Sequence, residues 1–159
     1  MSVLRPGPIK YDAELMPGTA SLSREARFTP TVLIVDDHAF VRAALRGFLE
    51  RAHLLVADEA QNGPEAIQKA KDLKPDLILM DLSMPQMSGV EASSVIRAAL
   101  PDTRIILFTM YSEAIGGSMA KAAGVDLVIP KADGTAALSD AIRRLLPEHF
   151  PDDPDRSGA

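Results

Sequence analysis

The stretch LILMDLSMPQMSG, Leu77 to Gly89, sets four apolar residues directly before a carboxylate and then breaks into Ser, Pro and Gly. A run that short, without polar alternation, is the pattern of a strand buried on both faces, as in a parallel sheet. Working outward, three more runs have the same character: Val32–Val35, Ile105–Phe108 and Val125–Ile129, with a weaker one at Leu54–Ala57. Between them the spacing is helical. Val41, Ala44, Leu45 and Phe48 recur at i, i+3, i+4 and i+7, as do Ala92, Val95, Ile96 and Ala99. Leu138, Ile142, Leu145 and Leu146 form a closing amphipathic helix, with Asp133 as its expected N-cap. Gly63-Pro64 opens the second helix and Pro101 follows the third. The sum is (βα)₅, an α/β fold whose right-handed crossovers give an open, doubly wound parallel sheet.

The chain has 159 residues, 47% of them hydrophobic and 25% charged, enough for one domain with a full core. Residues 29–150 carry the pattern. Residues 1–28 lack periodicity and contain Pro6, Gly7, Pro8, Pro17 and Gly18, so a disordered arm is expected, with a helical turn open to Ser21–Arg27. Residues 151–159 read as a polar tail. A net charge of −5 argues against direct nucleic-acid binding. The absence of cysteine excludes disulfides, thiolate metal sites and a cysteine nucleophile. Neither a signal-peptide run nor a membrane-length apolar segment is present, so the expected location is the cytoplasm, with no membrane partner.

In such sheets, chemistry gathers beyond the carboxyl ends of the strands. Those ends carry Asp36-Asp37 after strand one, Asp81 after strand three, Thr109 at strand four, and Pro130-Lys131 after strand five. Clustered carboxylates raise one another's pKa unless a cation joins them. Mg²⁺ takes oxygen ligands and keeps waters that a phosphate can displace. A carboxylate is also a competent nucleophile toward phosphorus, and phosphoryl transfer chiefly needs positioning and charge neutralisation. A metal, a lysine and a hydroxyl donor supply both.

Asp36-Asp37, Asp81 within MDLSMPQMSG, Thr109 and Lys131 together resemble a response-regulator receiver domain of two-component signalling, over the span Thr29 to Pro147. The resemblance implies a flavodoxin-like sheet of order 2-1-3-4-5. It implies that Asp81 is the phosphoacceptor and that Asp37, Asp81 and the main-chain carbonyl of Ser83 bind Mg²⁺, with Asp36 acting through water. Thr109 and Lys131 would contact the phosphoryl oxygens, and Pro85 and Gly89 would shape the loop after strand three. The implied donor is the phosphohistidine of a sensor histidine kinase or a histidine phosphotransfer protein. With only one helix and a tail after Lys131, the expectation is a stand-alone receiver, not an enzyme, that signals by protein–protein contact. Its surface would be the fourth helix, fifth strand and fifth helix, near Ser112–Ala123, Val125–Ile129 and Gly134–Leu146, which also offers a route to a homodimer.

The sequence departs from that family in three places. Val128 stands where receivers carry a switch aromatic, and its stiff χ1 does not swing as a ring does. Met110 follows Thr109 where a small residue is usual. Tyr111 occupies a position that tunes phosphoryl loss, and is expected to shield an acyl phosphate. Gly116-Gly117 inside the fourth helix, at about 1 kcal/mol per glycine, predicts a soft or partly unwound element. His38 is expected to be a solvent-facing helix-start residue, His53 and His149 form no metal cluster, and most methionines are expected to fill core. Two rivals weaken on the same residues. An aspartyl phosphohydrolase wants an acid where Ser83 stands, and a dinucleotide site wants glycines where Asp-Asp-His-Ala stands. A pseudo-receiver acting as a constitutive binding module remains the alternative.

Overall fold

The computed structural model describes residues 29–150; the sequence-based expectations for the arm at 1–28 and the tail at 151–159 lie outside them. Five parallel strands are hydrogen-bonded in the order β2-β1-β3-β4-β5. They are β1 (Thr31–Val35), β2 (Leu55–Ala60), β3 (Leu77–Met80), β4 (Arg104–Thr109) and β5 (Leu127–Pro130). The helices are α1 (Ala39–Arg51), α2 (Gly63–Leu73), α3 (Gly89–Ala99), α4 (Gly117–Ala122) and α5 (Gly134–Leu145). This is the doubly wound sheet that the strand pattern implied, in the flavodoxin-like order that the family resemblance implied.

Alternation along the buried strands builds two cores, one on each face of the sheet. Val32, Ile34, Leu77, Leu79 and Ile106 pack with Leu45 and Leu49 of α1 and Leu138 and Ile142 of α5. Leu33, Val35, Ile78, Met80 and Leu107 pack with Ala66 and Ala70 of α2, Ala92 and Ile96 of α3, and Ala120 of α4. The small residues on α2 and α3 let those helices sit close to the sheet. Local chemistry starts them: Asn62 caps α2 by accepting from the Glu65 amide at 2.9 Å, and Ser88 with Glu91 forms a reciprocal capping box on α3.

Several boundaries differ from the sequence reading. The edge strand β2 begins at Leu55 and runs on through Asp58 and Glu59 to Ala60, with a register shift between Val32 and Leu33 that leaves Ala57 as the extra residue. β5 starts at Leu127, because Asp126 turns its carboxylate back to the Ile105 amide at 2.8 Å and to Arg97 at 2.8 Å. The expected Ser112–Ala123 helix is split: a 3₁₀ turn at Ser112–Ala114, buried Ile115, and a six-residue α4 for which Gly116 is the N-cap. The glycines thus lie at the start of the helix, where they cost less than in its interior. Asp133 does occupy the position before α5, but its side chain makes no capping bond. On α3 the buried face is Gly89, Ala92, Ser93 and Ile96, leaving Val95 41% exposed. Met80 is buried and Met84 and Met87 pack against the core, as expected of most methionines, while Met110 and Met119 lie on the surface. No helix among the described residues is long and apolar enough to cross a membrane.

Candidate functional site: an acidic pocket at the carboxyl edge of the sheet

The register of β1 against β3, with Val35 opposite Met80, delivers the next residue of each strand to the same edge. The Asp81 amide donates to the Val35 carbonyl at 2.9 Å, and the Asp36 amide donates to the Ala60 carbonyl at 3.0 Å. Asp36, Asp81 and Thr109 are all buried. At the other side, Thr109 pairs in register with Pro130, so the following residue, Lys131, reaches back over the edge. Its Nζ lies 2.8 Å from Asp36 Oδ2 and 3.6 Å from Asp81 Oδ2.

The two buried carboxylates are held differently. Asp36 is saturated: Oδ1 accepts the His38 amide at 2.9 Å, Oδ2 accepts Lys131, and its main-chain oxygen accepts Arg42 Nη1 at 2.7 Å. Asp81 Oδ1 accepts the Leu82 amide at 2.8 Å, and Oδ2 faces the lysine across a longer gap of 3.6 Å. Burial pushes the Asp81 carboxyl above its ordinary pKa, and the Asp36 charge adds to that rise. The Lys131 ammonium, the Leu82 amide and the Thr109 hydroxyl pull in the other direction without prevailing. A group in that state gains from any added positive charge.

Asp37 is the third carboxylate. Its Oδ1 is buried and has no hydrogen-bond partner, the only such side-chain atom among the described residues. Asp36, Asp37, Asp81 and His38 each offer a donor atom within 4.8 Å of the others. An orphaned buried carboxylate oxygen beside two more carboxylates is a donor set suited to a hard divalent cation. Ser83, exposed, lies two residues beyond Asp81 in the following loop. That loop is fixed by close packing. A Cβ on Gly89 would overlap the Asp81 main-chain oxygen, and the Gly89 amide donates to the Leu82 carbonyl at 2.8 Å. Gly89 is therefore required for the backbone of the β3–α3 turn to fold back on Asp81.

Asp36, Asp37, Asp81, Thr109 and Lys131 reach one edge, and Ser83 follows in the loop after β3. Two residues not expected at the site join them. His38, read as facing solvent, keeps most of its ring exposed but sets Nδ1 3.1 Å from Oδ1 of both Asp36 and Asp37. Arg42, one helical turn further on α1, clamps the Asp36 main chain. The sequence signal for both was position: the residue after an acidic pair, and its i+4 neighbour. Phe40, Met110 and Tyr111 are exposed, and the Tyr111 amide donates to the Thr109 hydroxyl at 3.1 Å. Val128 packs, half-buried, on the α3/α4 side of the sheet. An open groove of about 520 Å³ lies beside it, lined by α4 and β5 residues including Gly117, Lys121 and Leu127.

A five-stranded parallel sheet of order 2-1-3-4-5, with an acidic pocket, a threonine and a lysine at its carboxyl edge, defines a receiver. The sequence model of the response regulator receiver domain matches residues 32–143, and the chain belongs to that family, whose members act in two-component signalling. Among curated proteins it is similar to the response regulator protein VraR of Staphylococcus aureus, with 42% identity over 117 residues that make up 73% of this chain and 56% of that one. The VraR of Staphylococcus saprophyticus is 40% identical over 114 residues, 71% of this chain and 54% of that one. The chain thus spans about half the length of the curated relatives it matches. Among solved structures, a LuxR-family two-component response regulator from Aurantimonas sp. SI85-9A1 aligns with a TM-score of 0.69 at 34% identity, covering 75% of this chain and 86% of that one. The response regulator TrrA of Thermotoga maritima, solved in complex with Mg²⁺-BeF, aligns with a TM-score of 0.69 at 31% identity, covering 74% of this chain and all of that one.

Proposed function

We propose that this receiver accepts a phosphoryl group on Asp81 from a phosphohistidine of a sensor kinase or phosphotransfer protein, in a Mg²⁺-dependent step. The observation that carries the reading is the state of Asp81: buried, disfavoured as an anion, beside the unpartnered Asp37 Oδ1 and with a lysine 3.6 Å away. In the transfer, an Asp81 carboxylate oxygen forms the bond to phosphorus as the donor's P–N bond breaks, and the leaving imidazole keeps the electron pair. Asp37 and Asp81, with the Ser83 carbonyl, would hold the ion, and Asp36 would act through water. The bound ion supplies charge neutralisation to the incoming phosphoryl oxygens. The Lys131 ammonium and Thr109 hydroxyl bind those oxygens, and the phosphoryl group gives Lys131 a stronger partner than Asp36.

The relay to another protein would run through α4, β5 and α5. The short α4, preceded by Gly116 and flanked by the groove beside Val128, supports a face that changes shape at low cost. A chelator-treated sample given Mg²⁺ and a small phosphodonor should gain the mass of one phosphoryl group, and Asp81→Asn should not. The second reading, a constitutive binding module without phosphorylation, is favoured by Val128 in place of a switch aromatic and by Met110 in place of a small residue. It would be supported if the parent protein gained no adduct and gave no spectral response to beryllofluoride with Mg²⁺.

A further inference from the structure

Asp36 and Asp37 share one peptide group, and Arg42 holds it. Every polar group of Asp36 has a partner. Its amide donates to the Ala60 carbonyl at 3.0 Å, Oδ1 accepts the His38 amide at 2.9 Å and Oδ2 accepts Lys131 at 2.8 Å. The fourth group, its carbonyl, accepts Arg42 Nη1 at 2.7 Å. That carbonyl lies in the same rigid plane as the Asp37 nitrogen. Asp37 Oδ1, by contrast, is buried with no hydrogen-bond partner. No hydrogen bond at that oxygen fixes the carboxylate, so its direction follows the backbone. Arg42 is itself anchored in the first turn of α1, where its amide donates to the His38 carbonyl at 3.1 Å. Its guanidinium thus ties that turn to the acidic pair through a charge-assisted bond.

Resting on the Mg²⁺ reading above, we propose that Arg42 is a positioning residue for the ion: by holding the Asp36–Asp37 peptide plane, it aims the Asp37 carboxylate into the pocket. A guanidinium has no acceptor atom, so Arg42 is not a ligand. The sign of its effect separates this role from electrostatics. A cation beside a divalent-ion site repels the ion, so charge alone makes Mg²⁺ binding tighter once Arg42 is removed. Positioning gives the reverse, weaker binding in spite of the relieved repulsion. A side chain that only stabilised the start of α1 would lower the melting temperature and leave affinity where charge puts it.

The test is calorimetric titration of the metal-free 159-residue chain with Mg²⁺, in the parent, Arg42→Met and Arg42→Lys. Loss of an outer-shell partner costs roughly 10–100-fold in metal affinity, and an effect relayed through the main chain puts Arg42→Met at the lower end, about tenfold. The bond to Asp36 uses one N–H and not a bidentate fork, so a lysine can remake it. The expected order of affinity is parent, then Arg42→Lys, then Arg42→Met, the opposite of the order that charge alone gives. The Mg²⁺ concentration that half-saturates phosphorylation by a small phosphodonor should rise by the same factor in Arg42→Met. A thermal melt confirms folding of each variant; if Arg42→Met does not fold, Arg42→Gln, neutral and shorter in the stem, takes its place with the same expected fall. Mg²⁺ affinity in the neutral variant equal to or above that of the parent overturns the proposal and leaves the ion site standing. If Mg²⁺ does not bind the parent, the ion reading and the proposal fail together.

Discussion

Replacing Lys131 with methionine removes the cation closest to two buried carboxylates while preserving most of the stem volume. Asp36 has 2% of its side chain exposed and Lys131 13%, and their atoms meet at 2.8 Å. Deleting one partner of a buried pair leaves an uncompensated charge, at a cost of about 3–5 kcal/mol. The partial exposure of Lys131, and the amide and guanidinium bonds that remain around Asp36, put the expected loss at the lower end, about 3 kcal/mol. For a domain of this size that lowers the melting temperature by roughly 10 °C. The assay is thermal unfolding followed by circular dichroism, first with chelator and then with millimolar Mg²⁺. In chelator the full deficit should appear. Mg²⁺ should stabilise the variant more than the parent, because the emptied site is more negative; an ion at about ten times its Kd contributes about 1.4 kcal/mol. The double variant Asp36→Asn with Lys131→Met separates charge from packing, since its loss should be smaller than the sum of the two single losses. A variant within about 0.5 kcal/mol of the parent in chelator would refute the idea that this pair holds the site together.

Three further outcomes are expected. Gly89→Ala, which in most helices would add about 1 kcal/mol, should instead cost about 2 kcal/mol and slow phosphorylation, because its Cβ meets the Asp81 main chain; an unchanged melting temperature would contradict that contact. Lys69 bonds Glu65 at 2.9 Å and lies 3.3 Å from Asp58. Glu65 is held below its ordinary pKa first by Lys69, and Asp58 first by the Glu59 amide and then by Lys69. Lowered folded values give stability that is complete above the unfolded pKa and lost as pH falls through the folded ones. Lys69→Met should therefore cost about 0.5 kcal/mol at neutral pH, given the solvent screening of this half-exposed cluster, and almost nothing near the acid limit; a deficit in urea denaturation that persists in acid would rule this out. Tyr111→Ala should speed loss of the phosphoryl group, read as the half-life of the adduct, and an unaltered half-life would remove Tyr111 from any shielding role.

The legibility of the fold tracked burial. β1, β3 and β4 were readable because strands buried on both faces need apolar side chains at every position, and Val32, Ile78 and Ile106 leave no ambiguity of period. β2 was half hidden because an edge strand meets solvent. Asp58 and Glu59 belong to it, and their polarity made the strand look shorter than it is. β5 was displaced because Asp126, sequentially inside an apolar run, spends its carboxylate on Ile105 and Arg97, contacts that lie more than twenty residues away in sequence.

The site was legible for a different reason. Register in a parallel sheet fixes which strand ends become neighbours, so Asp36, Asp81, Thr109 and Lys131 could be placed on one edge before any distance was known. Register says nothing about the first residue of a helix that leaves that edge. His38 is the N-cap of α1, and whether its ring turns to solvent or back over the carboxylates depends on one χ1 choice and on the Asx-type bond from its own amide to Asp36. That bond curls the chain so that the ring and Asp36 Oδ1 approach. It also saturates Asp36, which leaves Asp37 as the carboxylate with a free buried oxygen. The division of labour between the two acidic residues therefore follows from a two-residue turn: Asp36 holds the backbone and Lys131, and Asp37 is the one available to an ion.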